Sequence, residues 1–171
     1  MSNYWQIQLH PRHLEHFDDV QFNKALEARI IGMKSGWNND GGLTIIFRYD
    51  VAIGDIIMVR HKGVKALVQV VSDVYENNRT KDFWFDIVRN VKVLSMDGAM
   101  YQSKYNGDWA EGLDLKATLQ LANNNKFIIY WANDVYKTFF REKSNEAIII
   151  NDCSSFWKQL KANLLTLFDE E

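Results

Sequence analysis

The chain has 171 residues, 47% hydrophobic and 13% aromatic, a composition that suits one globular domain with a sizeable core and excludes a disordered chain. Its net charge of −2 speaks against a protein whose whole surface is built to hold a polyanion. Lys and Arg nearly balance Asp and Glu through Lys104, 13 against 12, and then fall behind, 7 against 10, so the acidic excess gathers toward Asp169-Glu170-Glu171.

A lone cysteine, Cys153, leaves no internal disulfide and fits a reducing, cytoplasmic compartment. No run of about 18 apolar residues is present to span a bilayer, and the first residues lack the apolar centre of a signal peptide. His10, His13 and His16 form a His-x2-His-x2-His run. It follows Pro11 in a loop without acidic or Cys partners at ligand spacing, so these read as solvated histidines, and neither metal nor cofactor is expected.

Tyr4 to Leu9 alternates large apolar and polar side chains, the period of a half-buried strand. Asp18 and Asp19 can cap a helix whose apolar face is Phe22, Ala25, Leu26 and Ile30, running to about Ile31. The chain then enters Gly36-Trp37-Asn38-Asn39-Asp40-Gly41-Gly42, where an aromatic ring sits in a glycine-framed polar loop. A ring held there, beside amides and a carboxylate, has the ingredients to hold a flat, hydrogen-bonding ligand such as a nucleobase. A ring that only plugs one end of the core is the alternative.

Leu43 to Phe47 is a short β-prone run, and Val51 to Asp55 turns into a strand over Ile56 to Arg60. His61-Lys62-Gly63 reads as a hairpin tip, and Val64 to Tyr75 as a long returning strand. Phe83 to Leu94 gives another strand, with Trp84 and Asp86 on one face and Phe83 and Phe85 on the other. Ser95 to Gly112 is polar and glycine-interrupted, a long loop with a short strand around Met100 to Ser103. Leu113 to Leu121 reads as a helix, Phe127 to Trp131 as a strand, Asn133 to Arg141 as a helix and Ala147 to Ile150 as a strand. Asp152 to Phe168 is a closing amphipathic helix, capped by Asp152 or Ser154. Trp5, Trp131 and Trp157 belong to the core, while the polar loop around Trp109 leaves that ring open to either reading.

The expected class is α+β: a mixed sheet of about five or six strands, mostly local hairpins, forming a partly closed barrel with flanking helices. One domain over 1–171 is expected, with 113–171 a mainly helical C-terminal part packed on it. Phosphate loops, dinucleotide fingerprints and nucleophile elbows are missing from the sequence, so it reads as a binding domain and not an enzyme. Basic side chains are better placed than the net charge suggests: Lys34, Arg60, Lys62 and Lys65, then Arg79 and Lys81, fall on or near loop tips where they could hold phosphates.

The stretch Ile31-Gly32-Met33-Lys34-Ser35-Gly36-Trp37, the Asn/Asp/Gly loop after it and Ile53-Gly54-Asp55-Ile56-Ile57-Met58-Val59-Arg60 resemble the EVE and YTH branch of the PUA-like superfamily. The likeness is greatest to the N-terminal specificity domains of McrBC-type, modification-dependent restriction systems and covers about Asn3 to Leu94. It implies a PUA-like pseudobarrel in which a modified base, flipped from DNA or exposed in RNA, enters an aromatic cage. Trp37 matches the cage position, Asn38 and Asp40 the adjoining polar ones, with Ser35 and Asn39 beside them and the second ring at Phe47, Tyr75 or Trp84. The implied partners are nucleic acid, modified DNA before RNA, and an AAA+ GTPase with a nuclease. The loop departs from the family's acid-Leu-Gly-Asp pattern, and Ala66 to Val70 lacks the usual glycine. The remaining readings are an RNA-directed module or a protein-interaction domain.

Overall fold

The period-two pattern after Asn3 becomes strand β1 (Tyr4–Gln8) in a computed structural model that describes residues 2–9, 19–35, 42–77, 83–105, 108–139 and 141. The other strands are β2 (Ile30–Met33), β3 (Ile56–Arg60), β4 (Val64–Val70), β5 (Tyr75–Glu76), β6 (Ile87–Ser95) and β7 (Leu119–Leu121). Helices α1 (Asp19–Glu27), α2 (Leu43–Tyr49) and α3 (Gly98–Tyr105) lie between them, and 126–139 is also helical. Two compact units divide the chain, Met1–Ala132 and Asn133–Glu171. Everything below concerns the first; in the second, 133–139 and 141 are helical.

The sheet runs β2-β6-β4-β3-β1-β7, with β5 also paired to β6. Its α+β class and mixed half-barrel form are those expected from the sequence. The β3–β4 hairpin turns at Lys62 (φ 53) and Gly63 (φ 135), as the His61-Lys62-Gly63 reading requires. β1 instead pairs in parallel with β3, Tyr4 opposite Ile56 through Gln8 opposite Arg60, while every other pairing among the described strands is antiparallel. A parallel neighbour needs a crossover, and the whole stretch from α1 to α2 supplies it.

Several local expectations are overturned by packing. The first helix stops at Glu27, not Ile31, because Arg29 takes a left-handed φ of 56°, a conformation costing a non-glycine residue about 1–2 kcal/mol. Its carbonyl then accepts the Val91 amide at 2.8 Å, turning Ile30–Met33 into a strand buried at all four positions. Leu43 to Phe47 is helical despite its β-branched residues. Leu43, Ile46 and Phe47, at i, i+3 and i+4, pack on the core while Ile45 and Tyr49 face out, so helical amphipathicity outweighs strand propensity.

The expected long strand Val64 to Tyr75 breaks after Val70 and resumes as β5, and the Phe83 strand begins only at Ile87. Ser95 to Gly112 contains α3 where a loop with a short strand was read. Gly98 sits so close to β4 that an added Cβ would meet the Val64 carbonyl oxygen at 2.5 Å, and Tyr101 stacks on Trp131 at 5.2 Å. Residues 113–121 are not a helix: Asp114 accepts the Lys116 amide at 2.8 Å in a turn, and β1 recruits Leu119–Leu121 as an edge strand. Phe127 to Trp131 is helical, capped by Asn125, whose Oδ1 accepts the Ile128 amide at 2.9 Å, with Phe127, Ile128, Trp131 and Ala132 all buried. Trp5 and Trp131 are core, as expected; the predictions for Ala147 to Ile150, Trp157 and Asp152 to Phe168 fall outside the described residues, as do His10, His13 and His16.

Candidate functional site

Trp37, Asn38, Asn39 and Asp40 lie outside the described residues, but both ends of their loop are described. At the entry, β2 hands the chain to Lys34 and Ser35, both exposed. The Ser35 amide and hydroxyl both donate to the Asp86 carboxylate, one to each oxygen. Asp86 is itself fixed, its amide donating to Met33 O at 3.3 Å and its carbonyl accepting from Asn77 at 2.6 Å. Partial burial would push this carboxyl up. The two bonds from Ser35 and the charge of Lys34 outweigh it, holding Asp86 below the usual carboxylate range.

At the exit, Gly42 takes a left-handed φ of 85°, and its carbonyl accepts the Ile45 and Ile46 amides of α2. The far end of α2 is closed by Arg89 of β6. Its guanidinium donates to Phe47 O at 3.1 Å, Arg48 O at 3.0 Å and Ser72 O at 3.1 Å, and lies 5.6 Å from the Phe47 ring centre. Burial pulls the guanidinium below its usual value, opposed by Asp73 and Asp55. The residue before β6 and the start of β6 therefore hold what flanks residues 36–41: Asp86 bonds Ser35 on the entry side, and Arg89 bonds the far end of the helix that follows.

Aromatic residues crowd the approach to Asp86. Phe83 and Phe85 stack at 5.4 Å and 12°, and Trp84 meets Phe85 edge-on at 5.7 Å, its Nε1 donating to Leu9 O at 3.2 Å. Gly32 makes this possible: a Cβ there would lie 2.3 Å from the Phe85 ring and 2.6 Å from Ile87 O. Of the three candidates for a second ring, Trp84 is two residues from Asp86 and only partly buried. Phe47 is wholly inside the core, which leaves it no face for a ligand. Tyr75 is exposed but turned to β6, its hydroxyl donating to Asn90 Oδ1 at 2.7 Å.

The basic residues separate in the same way. Lys34 stands beside the clamp; Lys62 is exposed and Lys65 half-buried around the β3–β4 hairpin; Arg79 and Lys81 are outside the described residues. Arg60, expected at an exposed tip, is 7% exposed. Its guanidinium donates to the Gln6 side chain, to Gln8 Oε1 at 3.3 Å and to Leu115 O at 3.2 Å, and lies 5.4 Å from the Trp109 ring centre. Burial lowers its pKa, with Asp114 opposing, and the side chain serves to lock the turns after Asp108 onto β1 and β3. Trp109 thus gains a structural role. His61 is buried as well, stacked on Phe22 at 5.0 Å with Nε2 2.9 Å from Asp19 Oδ1.

Asp86 and Arg89 were not among the site residues inferred from the sequence. The alternation Phe83 to Leu94 put Asp86 on the face of Trp84, and its partner Ser35 stands 51 residues away, so no signal in the sequence marked the pair.

No protein-family model matches the chain, and no curated protein matches it. Solved structures do. A hypothetical protein from Leishmania major is similar at 12% identity over 81% of this chain and 97% of that one, with a TM-score of 0.48. Human THYN1, solved in complex with 5-methylcytosine containing DNA, is 16% identical over 77% and 96%, with a TM-score of 0.47. The YTH domain of Zygosaccharomyces rouxii MRB1, in complex with N6-methyladenosine RNA, is 15% identical over 54% and 57%, with a TM-score of 0.34. The likeness is one of fold.

Proposed function

We propose that this chain is a non-enzymatic reader of a modified base, in DNA before RNA, with the base held against Trp37. The observation that carries the reading is the double tether of the Trp37 loop: Ser35 bonded twice to Asp86 at its entry and α2 held by Arg89 beyond its exit. A recognition loop gains from anchors that are themselves locked, because each freedom removed in advance is not lost on binding. The resemblance of Gly36-Trp37 and the following Asn/Asp/Gly run to an EVE/YTH cage supports the same assignment.

In this mechanism the Trp37 ring stacks on an extruded base, worth about 1–3 kcal/mol. Asn38, Asn39 or Asp40 reads its polar edge, Ser35 and Trp84 border the pocket, and Lys34 meets a flanking phosphate. A methyl group filling an apolar corner contributes about 0.8 kcal/mol, so preference for the modified base is about fourfold per methyl unless unpaired polar groups penalise the plain one. As the specificity module of a modification-dependent restriction system, the domain would leave strand cleavage to an AAA+ GTPase and nuclease partner.

Matched oligonucleotides test this: duplex DNA with and without 5-methylcytosine, and single-stranded RNA with and without N6-methyladenosine, against the wild type and Trp37→Ala. The expected result is preferential binding of methylated duplex, reduced about tenfold or more by the substitution. Binding that is absent, or equal for both duplexes and indifferent to Trp37→Ala, ends the reading; preference for the RNA arm reassigns the nucleic acid.

A further inference from the structure

Single exposed apolar side chains are ordinary, but here they gather. Of the eleven large exposed hydrophobic residues among those described, five come from two neighbouring segments: Ile45 and Tyr49 of α2, Ile53 in the turn after it, Val71 just past β4, and Tyr75 of β5. Tyr49 is 78% exposed, and Ile45, at 62%, stands one helical turn away on the same face. Bonds hold the two segments side by side. The Arg89 guanidinium joins Arg48 O to Ser72 O, which sets Val71 to Asp73 beside the end of α2. Gly54 N donates to Val70 O at 2.8 Å, and Arg48 forms an ion pair with Glu76 at 3.2 Å, so Ile53 lies near Val71 and β5 lies near α2.

Charge divides the margin of this patch. On the α2 side Asp50, which ends the helix, and Asp73, which follows Ser72, are both exposed, while Glu76 is matched by Arg48. On the other side Val71 N donates to Asn90 O at 3.0 Å, and Val71 shares a concavity with the exposed Arg29. The apolar centre is thus flanked by acids at one side and a cation at the other. Such a surface opposes a polyanion along its acidic side, and it is complementary to itself: a two-fold rotation lays the acidic side of each copy on the basic side of the other.

We propose that this patch is the interface of a homodimer, two copies packing through α2 about a two-fold axis, with Tyr49 as the anchor and Asp50 of each copy facing Arg29 of the other. An apolar centre inside a charged rim is the usual anatomy of a protein interface, and tyrosine is prominent among residues that carry binding energy there. The assignment does not rest on the reading of Trp37. It does bear on the loop: Ile45 lies against Gly42, its Cδ1 4.0 Å from where a Cβ there would stand, so pairing through α2 sets the exits of both loops beside the interface.

Sedimentation velocity of the full chain over a concentration series, at low and high salt, tests this. The expected result is a reversible dimer, in about the micromolar range because the patch is small, weakened by salt. Tyr49→Ala should raise the dissociation constant about tenfold or more. Asp50→Lys and Arg29→Asp should each weaken the dimer, and the two together should restore it, because the exchanged charges meet across the axis. All three positions are exposed, and thermal unfolding near the wild-type midpoint certifies the fold of each variant. A chain that is monomeric at every concentration overturns the interface, as does a dimer indifferent to Tyr49→Ala. A dimer that Tyr49→Ala disrupts, and that the combined exchange fails to restore, overturns the two-fold pairing of the margins. A Tyr49 amide signal that moves when duplex DNA is added, and not with protein concentration, assigns the patch to a nucleic acid and overturns the dimer.

Discussion

At the scale of single residues, the Ser35–Asp86 pair ties the candidate site to the sheet. Both Ser35 donors favour the ionised carboxylate, so the folded pKa of Asp86 lies below its unfolded value. The sign follows: the stabilisation is fully present above the ordinary aspartate pKa, about 3.9, and is lost only as pH falls through the lower folded value. An NMR titration of the Asp86 carboxyl should therefore show it ionised where ordinary carboxylates are half protonated, and Ser35→Ala should raise its midpoint toward theirs. A wild-type Asp86 that titrates with the ordinary aspartates would remove the clamp from the argument. Sequence made Ser35 visible because it precedes Gly36-Trp37, but Asp86 stands 51 residues away, and no local pattern joins them. Asp55 shows the same limit. Its place in the Ile-Gly-Asp-Ile turn was legible, whereas its bonds from Asn3 N and Trp5 Nε1, each 2.8 Å, come from the first strand and the residue before it.

At the scale of elements, four short stretches adopt states that their local pattern did not favour, and each has a tertiary cause. Ile30–Met33 leaves the helix because Arg29 turns left-handed and β6 offers amides and carbonyls in register, Ile31 opposite Arg89. Leu43–Tyr49 winds into a helix because Phe47 has a core to enter and Arg89 donates to the Phe47 and Arg48 carbonyls. Leu119–Leu121 is drawn out by β1, and 126–132 coils on the Asn125 cap around buried Phe127 and Trp131. Short apolar runs are compatible with either period, so the partner decides. Gly32 tests this packing directly. Gly32→Ala must displace the Phe85 ring or the β6 backbone at Ile87, and overpacking of this kind costs about 1–3 kcal/mol. Urea unfolding should show that loss, together with a shift of the Trp84 signal; a variant within a few tenths of wild type would mean that β2 and Phe85 are looser than their contact distances imply.

At the scale of the whole molecule, the sheet is organised around β3, whose five residues are all buried between β1 on one side and β4 on the other. β5 and β7 are short and lie at margins. Hydrogen exchange should follow this order, slowest at Ile57, Met58 and Val59 and fastest at Glu76 and Leu121, since opening β3 breaks two ladders together. Comparable exchange in β3 and β7 would contradict the central position of the parallel pair.

Composition and pattern alone pointed to an α+β sheet protein, to Trp5 and Trp131 in the core and to a β3–β4 hairpin turning at Lys62-Gly63; they offered Trp37 as a ligand-holding ring or a core plug, and only the family resemblance favoured the first. The first three follow from periodicity, turn chemistry and ring burial, all of which act over a few residues. Only the tertiary structure decided that β1 runs parallel beside β3, that Arg60 and Phe47 are withdrawn inside, and that Asp86 bonds Ser35 while Arg89 bonds the end of α2. Those outcomes depend on residues 41 to 54 positions apart meeting in space, and on the desolvation and bonding that the meeting brings, neither of which a short stretch of sequence contains.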